Sequence, residues 1–245
     1  MKKRALRKDF YMEIRKSLGR FLSIFFIVAM GVAFFSGIRA SEPDLRYSGD
    51  AYFDRNHLMD LKVMGTLGLT ENDVQAIRSL EGVAQAEPGY SADVMVERDG
   101  NQKVLHVSSI LDSMNQYTVE EGRMPKKDGE CLIDQDFIQG SGLKVGDEIT
   151  LISGTKDPVT DTFTKETFRI VGAGSSPEYI SFHRGSSMIG NGEVSGFLAV
   201  PKESFVTEAY TECYVSVEGA EEETAFTEEY DQKVEKVAER IESIG

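Results

Sequence analysis

The sequence has no tryptophan and only two cysteines, three histidines and six prolines in 245 residues. So few cysteines and histidines exclude a disulfide scaffold and leave little material for a metal cluster. Positive charge is also short: 27 Lys and Arg stand against 41 Asp and Glu, a net −14. Phosphate binding needs a basic surface, so nucleic acid is not expected as a partner. The usual catalytic signatures are missing too. Gly142-Leu-Lys-Val-Gly146 lacks both the spacing and the Lys-Ser/Thr end of an ATP-binding loop. There is no Gly-x-Ser-x-Gly elbow, no His-Glu-x-x-His and no Cys-x-x-Cys. His57 stands among Asp54, Arg55 and Asp60 as a surface polar cluster, and His106 and His183 each stand alone. Cys131 and Cys213 lie in apolar, strand-like contexts, read as buried free thiols, with a disulfide between them left open. No catalytic residue, metal site or cofactor is expected.

What is present is unevenly spread. Residues 1–20 hold eight basic residues against Asp9 and Glu13, a net +6, which leaves −20 for the remaining 225. Between head and body runs Phe21 to Ile38, FLSIFFIVAMGVAFFSGI, without one charge. As a helix rising about 1.5 Å per residue it would span roughly 27 Å, close to the hydrocarbon thickness of a bilayer. Residues 21–38 are therefore read as a transmembrane helix bounded by Arg20 and Arg39. A buried core helix and a cleaved signal peptide are the rival readings. Ile38-Arg39 before Ala40 does not make a small-x-small cleavage pattern. Positive residues favour the inner side, which places residues 1–20 in the cytoplasm and the acidic body outside the cell membrane. Ala29, Ala33 and Gly37 recur every four residues, a spacing that would let a second helix approach closely or that arises by chance. Phe10, Ile14, Leu18 and Phe21 form an apolar stripe among basic residues. It reads as an amphipathic lead on membrane lipid or as a plain basic flank.

The body reads as α+β, with more strand than helix. Leu58–Leu69 is strand-like. Thr70-Glu71-Asn72-Asp73 is a capping box with Asp at its fourth position, followed by Val74, Ile77 and Leu80 at helical spacing and by Gly82 as a stop. Val83–Glu87 is a short strand. Asp93–Arg98 and Lys103–Ile110 alternate about Asp99-Gly100, a hairpin pattern. Glu130–Asp134, Glu148–Ser153, Phe163–Val171, Gly196–Val200 and Cys213–Val217 are further strands, punctuated by glycine and proline, including Gly172 and Gly174. Phe182 to Gly196 reads as a flexible polar loop. Phe226, Tyr230, Val234, Val237, Ile241 and Ile244 form the stripe of an amphipathic helix. The chain thus divides into a basic lead (1–20), a span (21–38), an outer α+β domain (41–219) and a C-terminal helical stretch (220–245).

The segment Glu13-Ile-Arg-Lys-Ser-Leu-Gly-Arg-Phe21, running straight into the span, resembles the start of an FtsX-like/MacB-like ABC transporter permease. The large forms of Gram-positive bacteria are particularly similar. Gly68-Leu-Thr-Glu-Asn-Asp73 with Gly82-Val83 resembles the first helix of the MacB-like extracytoplasmic domain. Gly122-Arg-Met-Pro125 followed by Gly129-Glu-Cys-Leu-Ile133 is similar to its turn-and-strand signature. Leu143-Lys-Val-Gly-Asp147, Phe168–Gly172, Ser176–Ser181 and Gly196–Pro201 extend the match in order. Read from the residues alone, Gly122, Arg123 and Pro125, and Gly146 with Asp147, are strand connectors that serve folding. The resemblance implies a non-enzymatic permease. Its partners would be a cytoplasmic ABC ATPase on another chain and a second permease copy or paralogue. ATP hydrolysis would reshape the outer domain for substrate export or mechanotransmission, with substrates ranging from peptides and antibiotics to lipoproteins. Some members regulate cell-wall hydrolases instead. Such permeases have four or more spans and this sequence shows one, so it is expected to be the N-terminal piece of one. Its last helix would then pack loosely or project towards missing segments. The alternative is a single-pass anchored extracellular binding or sensor protein, with an extracellular enzyme third.

Overall fold

The computed structural model describes residues 2–98, 100–181 and 183–245, and of residues 2–7, 14, 42 and 98 the backbone alone. Asp99 of the hairpin turn and Phe182 of the polar loop therefore lie outside the described residues, as do the side chains of Ile14 in the apolar stripe and of Lys2, Lys3, Arg4 and Arg7. The chain forms two compact units, Met1–Ser48 and Gly49–Gly245.

The first unit belongs to helix α1, Lys2–Arg55. Among the described residues α1 holds the one stretch long and apolar enough to cross a membrane, and no part of that stretch is buried in the protein. The helix does not end near residue 38, as the sequence suggested. It runs through Pro43 to Arg55, although an interior proline removes a hydrogen bond and costs about 3 kcal/mol. A domain boundary at 41 thus falls inside α1.

Gly49–Gly245 carries two sheets. In the smaller, strands β1 (Leu61–Val63), β10 (Glu212–Val217) and β2 (Val83–Gly89) lie in the order β1-β10-β2, all antiparallel. The expected strand 58–69 shrinks to β1. Gly68 takes a φ of +82° and its amide donates to Gly65 O (3.1 Å), so the chain turns instead of extending. Helix α2 (Glu71–Arg78) starts at the expected box: Asp73 Oδ2 accepts from Thr70 N at 2.7 Å, and Thr70 Oγ1 accepts from Asp73 N. Val74 and Ile77 then face the sheet and are buried.

Helix α4 (Glu228–Glu242) covers the same sheet. Thr227 caps it, and Glu228, Glu229 and Asp231 sit in the first turn, where negative charge suits the helix dipole. Val237 and Ile241 join Val74, Ile77, Cys213, Val215 and Val217 in one apolar cluster. This corrects the expectation of a loosely packed or projecting C-terminal helix. Residues 220–227 are turns, so Phe226 (φ +64°) and Ile244, the two ends of the expected stripe, fall outside the helix and are exposed, while the helix itself is integral to the small sheet.

The larger sheet holds β3 (Ser91–Arg98), β4 (Asn101–Ser109), β5 (Thr118–Gly122), β6 (Glu130–Asp134), β7 (Glu148–Thr150), β8 (Thr167–Ser175) and β9 (Val194–Val200). Its order is β3-β4-β9-β6-β8-β5, with β7 also on β8; β4 with β9 and β6 with β8 are parallel. Helix α3 (Gln135–Ser141) lays Phe137 and Ile138 on a core built from every strand but β5, with Phe163, Phe168 and Phe205. Leu132, Phe197 and Ala199 pack on the opposite face with Tyr117 and Tyr179, so central strands are covered on both sides. The strand expected at Phe163–Val171 begins four residues later. Phe163 serves the core from a loop, while Gly172 and Gly174, expected to punctuate, lie inside β8. A Cβ at Gly172 would stand 2.3 Å from Arg123 O and one at Gly174 2.2 Å from Thr118 O, so β5 can pair only with glycines there.

If α4 is integral, Ile241→Ala should lower the unfolding free energy by about 2 kcal/mol or more. Amide exchange of the parent chain across residues 230–241 should be as slow as in β10. Fast exchange there would restore the projecting-helix reading.

Candidate functional site

The two turn motifs meet on β8. Arg123 N donates to Val171 O at 3.0 Å, and Gly146 N donates to Ile170 O at 2.8 Å. Ile170 N in turn donates to Asp147 O at 2.9 Å, and Lys144 N closes its own turn on Asp147 Oδ2 at 2.9 Å. Gly122 (φ +77°) is irreplaceable by geometry: an added Cβ would sit 2.3 Å from Val171 O and 3.1 Å from Val145 Cγ1 of the other turn. Pro125 is buried. Gly122, Arg123, Gly146 and Asp147 thus converge on residues 169–172, and Arg123, Val145 and Gly146 border, with Glu130, Lys165 and Arg169, a polar cavity of about 600 Å³.

Glu130 is the residue that the motif reading missed. It opens β6 nearly buried, and Arg123 grips it in two places, Nη1 to Oε2 at 2.8 Å and Nη2 to Oε1 at 2.7 Å, while Lys126 N donates to Oε2 at 3.0 Å. These bonds, Arg123 first, hold its carboxyl down at about 2 against the desolvation that would raise it. The signal in the sequence was a lone acid heading an apolar strand seven residues after an arginine. Beside it, Asp128 accepts from Thr164, Ser204 and Lys165, tying the 127–129 turn to two loops.

Three further polar groups hold chain segments together. Arg184 pairs with buried Asp134 (2.8 Å) and with Asp136 (2.7 Å), and also donates to the Tyr179 and Ser181 carbonyls. The loop expected to be flexible is therefore pinned at its start. Glu87 accepts from Asp112 N at 2.5 Å, Ser113 Oγ at 2.9 Å and Lys202 Nζ at 2.9 Å. His106, expected to be alone, has its Nδ1 2.7 Å from Asp93 Oδ1, and Ser187 Oγ donates to Asp93 Oδ2 at 2.6 Å. Burial pushes the Asp93 carboxyl up, and these two bonds more than offset it.

The Ser187 hydroxyl and the His106 imidazole meet opposite oxygens of the Asp93 carboxylate, so serine and histidine are joined through Asp93 and not directly. Cys131 and Cys213 are free thiols buried in separate apolar clusters. Burial raises both, Cys213 to about 11, so neither offers a thiolate near neutral pH. Among the described residues no group of three or more His, Cys, Asp or Glu could hold a metal ion. Ala29, Ala33 and Gly37 lie four apart along α1; a Cβ at Gly37 would meet nothing within 4 Å.

Residues 18–233 match the family model of the MacB-like periplasmic core domain. Among solved structures, the extracellular domain of the noncanonic ABC-type transporter YknZ from Gram-positive bacteria shares 12% identity at a TM-score of 0.41. That alignment covers 69% of this chain and 80% of that one. The periplasmic region of MacB from Actinobacillus actinomycetemcomitans shares 11% at a TM-score of 0.40, with 74% and 75% covered. No curated protein sequence matches the chain.

Two outcomes are expected of the β8 junction. Gly122→Ala should destabilise the domain by about 2 kcal/mol or more, since it adds both a clash and a strained backbone; an unchanged melt would contradict the geometry. A carboxyl depressed in the folded state contributes stability that is present above its unfolded value of 4.5 and lost as pH falls towards its folded value of about 2. Glu130→Gln should therefore flatten the fall in stability between those two values, read by urea midpoints at several pH values.

Proposed function

The chain belongs to the MacB-like periplasmic core domain family, and on that footing we propose that it is a permease subunit, or the N-terminal part of one, in an ABC transporter. The observation that carries this reading is the family match from residue 18 to residue 233, which begins at the edge of the charge-free stretch 21–38. In this reading residues 21–38 cross the membrane, residues 1–20 are cytoplasmic and residues 41–245 lie outside. The net +6 of the first twenty residues supports that orientation. These 245 residues carry no nucleotide-binding loop, which supports placing ATP hydrolysis on a separate cytoplasmic ATPase in this reading. The outer domain then couples that hydrolysis to export or to mechanical work on an extracellular partner. Ala29, Ala33 and Gly37 are the face offered to a second permease copy or paralogue. Phe10, Tyr11 and Leu18, all exposed, meet lipid or the ATPase.

Ser48→Cys should react with a membrane-impermeant maleimide in intact cells, while buried Cys131 and Cys213 stay unlabelled. Labelling only after lysis would reverse the topology. A photo-crosslinking residue at Tyr11 should capture a protein carrying a nucleotide-binding loop. Crosslinks to lipid alone would remove the ATPase partner and favour a single-pass anchored protein.

A further inference from the structure

Within Gly49–Gly245 the two sheets do not share a core. The large-sheet cluster and the small-sheet cluster are separate, and what joins the two lobes is a third, small group: Leu111, Met114 and Tyr214 with Met59. Among the described residues no strand ladder runs from one sheet to the other. The chain passes between them at Gly89-Tyr90-Ser91, where β2 ends and β3 begins with one residue between. It passes again at residues 201–211, between β9 and β10. Tyr90 and Tyr210 touch there at 5.3 Å between ring centroids, and Ser91 N donates to Thr211 Oγ1 at 2.6 Å. The rest of the seam is polar. Lys62 of β1 reaches Glu178 of the large lobe at 3.1 Å and Glu212 of its own lobe at 3.5 Å. Both carboxylates are nearly buried, and the lysine lies over the Tyr214 ring at 5.1 Å. Asn115 joins Glu178 at 3.3 Å to Met59 N at 2.9 Å.

Small, polar contacts between units with their own cores are the arrangement in which relative motion is the default. We propose that the two lobes are hinged at Gly89–Ser91 and 206–211, and that Lys62, held between Glu178 and Glu212, is the clasp that sets their closed arrangement. The charge order makes the clasp two-sided. With Lys62 in place, Glu178 and Glu212 are drawn towards one cation. Without it, two nearly buried carboxylates face each other across the seam, which favours separation. The Glu87–Lys202 pair (2.9 Å) lies on the same seam and restrains the same motion. The clasp rests on the two cores and not on the transport reading, and it holds for an anchored binding protein equally.

The test uses the full chain in detergent with spin labels on Glu81→Cys and Gln102→Cys, one exposed position on each lobe, both native thiols being buried. The parent should give one narrow distance distribution. Lys62→Met should broaden and lengthen it, raising the open fraction about tenfold, with circular dichroism unchanged. Lys62→Met/Glu178→Met, which removes the exposed repulsion, should narrow it again. Gln85→Cys/Ser113→Cys, whose parent side chains touch across the seam at 2.5 Å, should close it when oxidised. If Lys62→Met does not fold, Glu178→Gln is read in its place, because it leaves the Lys62–Glu212 pair intact. A folded Lys62→Met or Glu178→Gln chain with the parent distribution overturns the clasp. Loss of membrane topology or of ATPase crosslinking would bear on the transport reading and leave the clasp standing.

Discussion

Strand β8 is the constraint on which the large lobe depends. Both of its edges are taken, one by β6 and the other by β5 and β7 in succession. Sharing one edge between two strands brings the 122–125 and 144–147 turns side by side, and it requires β5 to lie closer than a side chain allows. Gly172 and Gly174 in the strand, and Gly122 in the turn, meet that requirement. Gly122, Gly172 and Gly174 are therefore held by backbone proximity and not by any chemistry of a side chain.

A second constraint comes from composition. The chain is acidic, yet several of its carboxylates are buried, and a buried charge is tolerated only when paired or well hydrogen-bonded. Its scarce cations stand opposite them: Arg123 with Glu130, Arg184 with Asp134, Lys202 with Glu87, Lys62 with Glu212. Each pair joins a strand to a turn, a loop or another strand.

Together these features describe a rigid framework with one soft seam. The large lobe is stiffened by a sheet buried on both faces, and the small lobe by two amphipathic helices on one face of three strands. Only polar contacts and a few apolar side chains lie between the lobes. For a domain proposed to change shape when membrane helices move, that division localises the motion to two short crossings and leaves each core intact.

Much was decided locally and could be read from the sequence. The charge-free stretch after a basic lead, the capping box at Thr70–Asp73, the β3–β4 alternation and the α4 stripe each depend on neighbours within a few residues. The motif order was enough to point to the family. Other features depend on residues far apart in the chain. The sequence could not show that α1 continues through Pro43, that Gly172 and Gly174 sit within a strand, or that α4 belongs to the core. Each depends on what packs against the segment. Nor could it show that His106 and Ser187 both meet Asp93, or that Lys62 stands between Glu178 and Glu212. Local sequence determined which elements form and which face of each is apolar, because those depend on short-range periodicity and hydrogen bonding. Only the tertiary structure decided which charges meet and where the two cores divide, because pairing across more than a hundred residues is a property of the folded path.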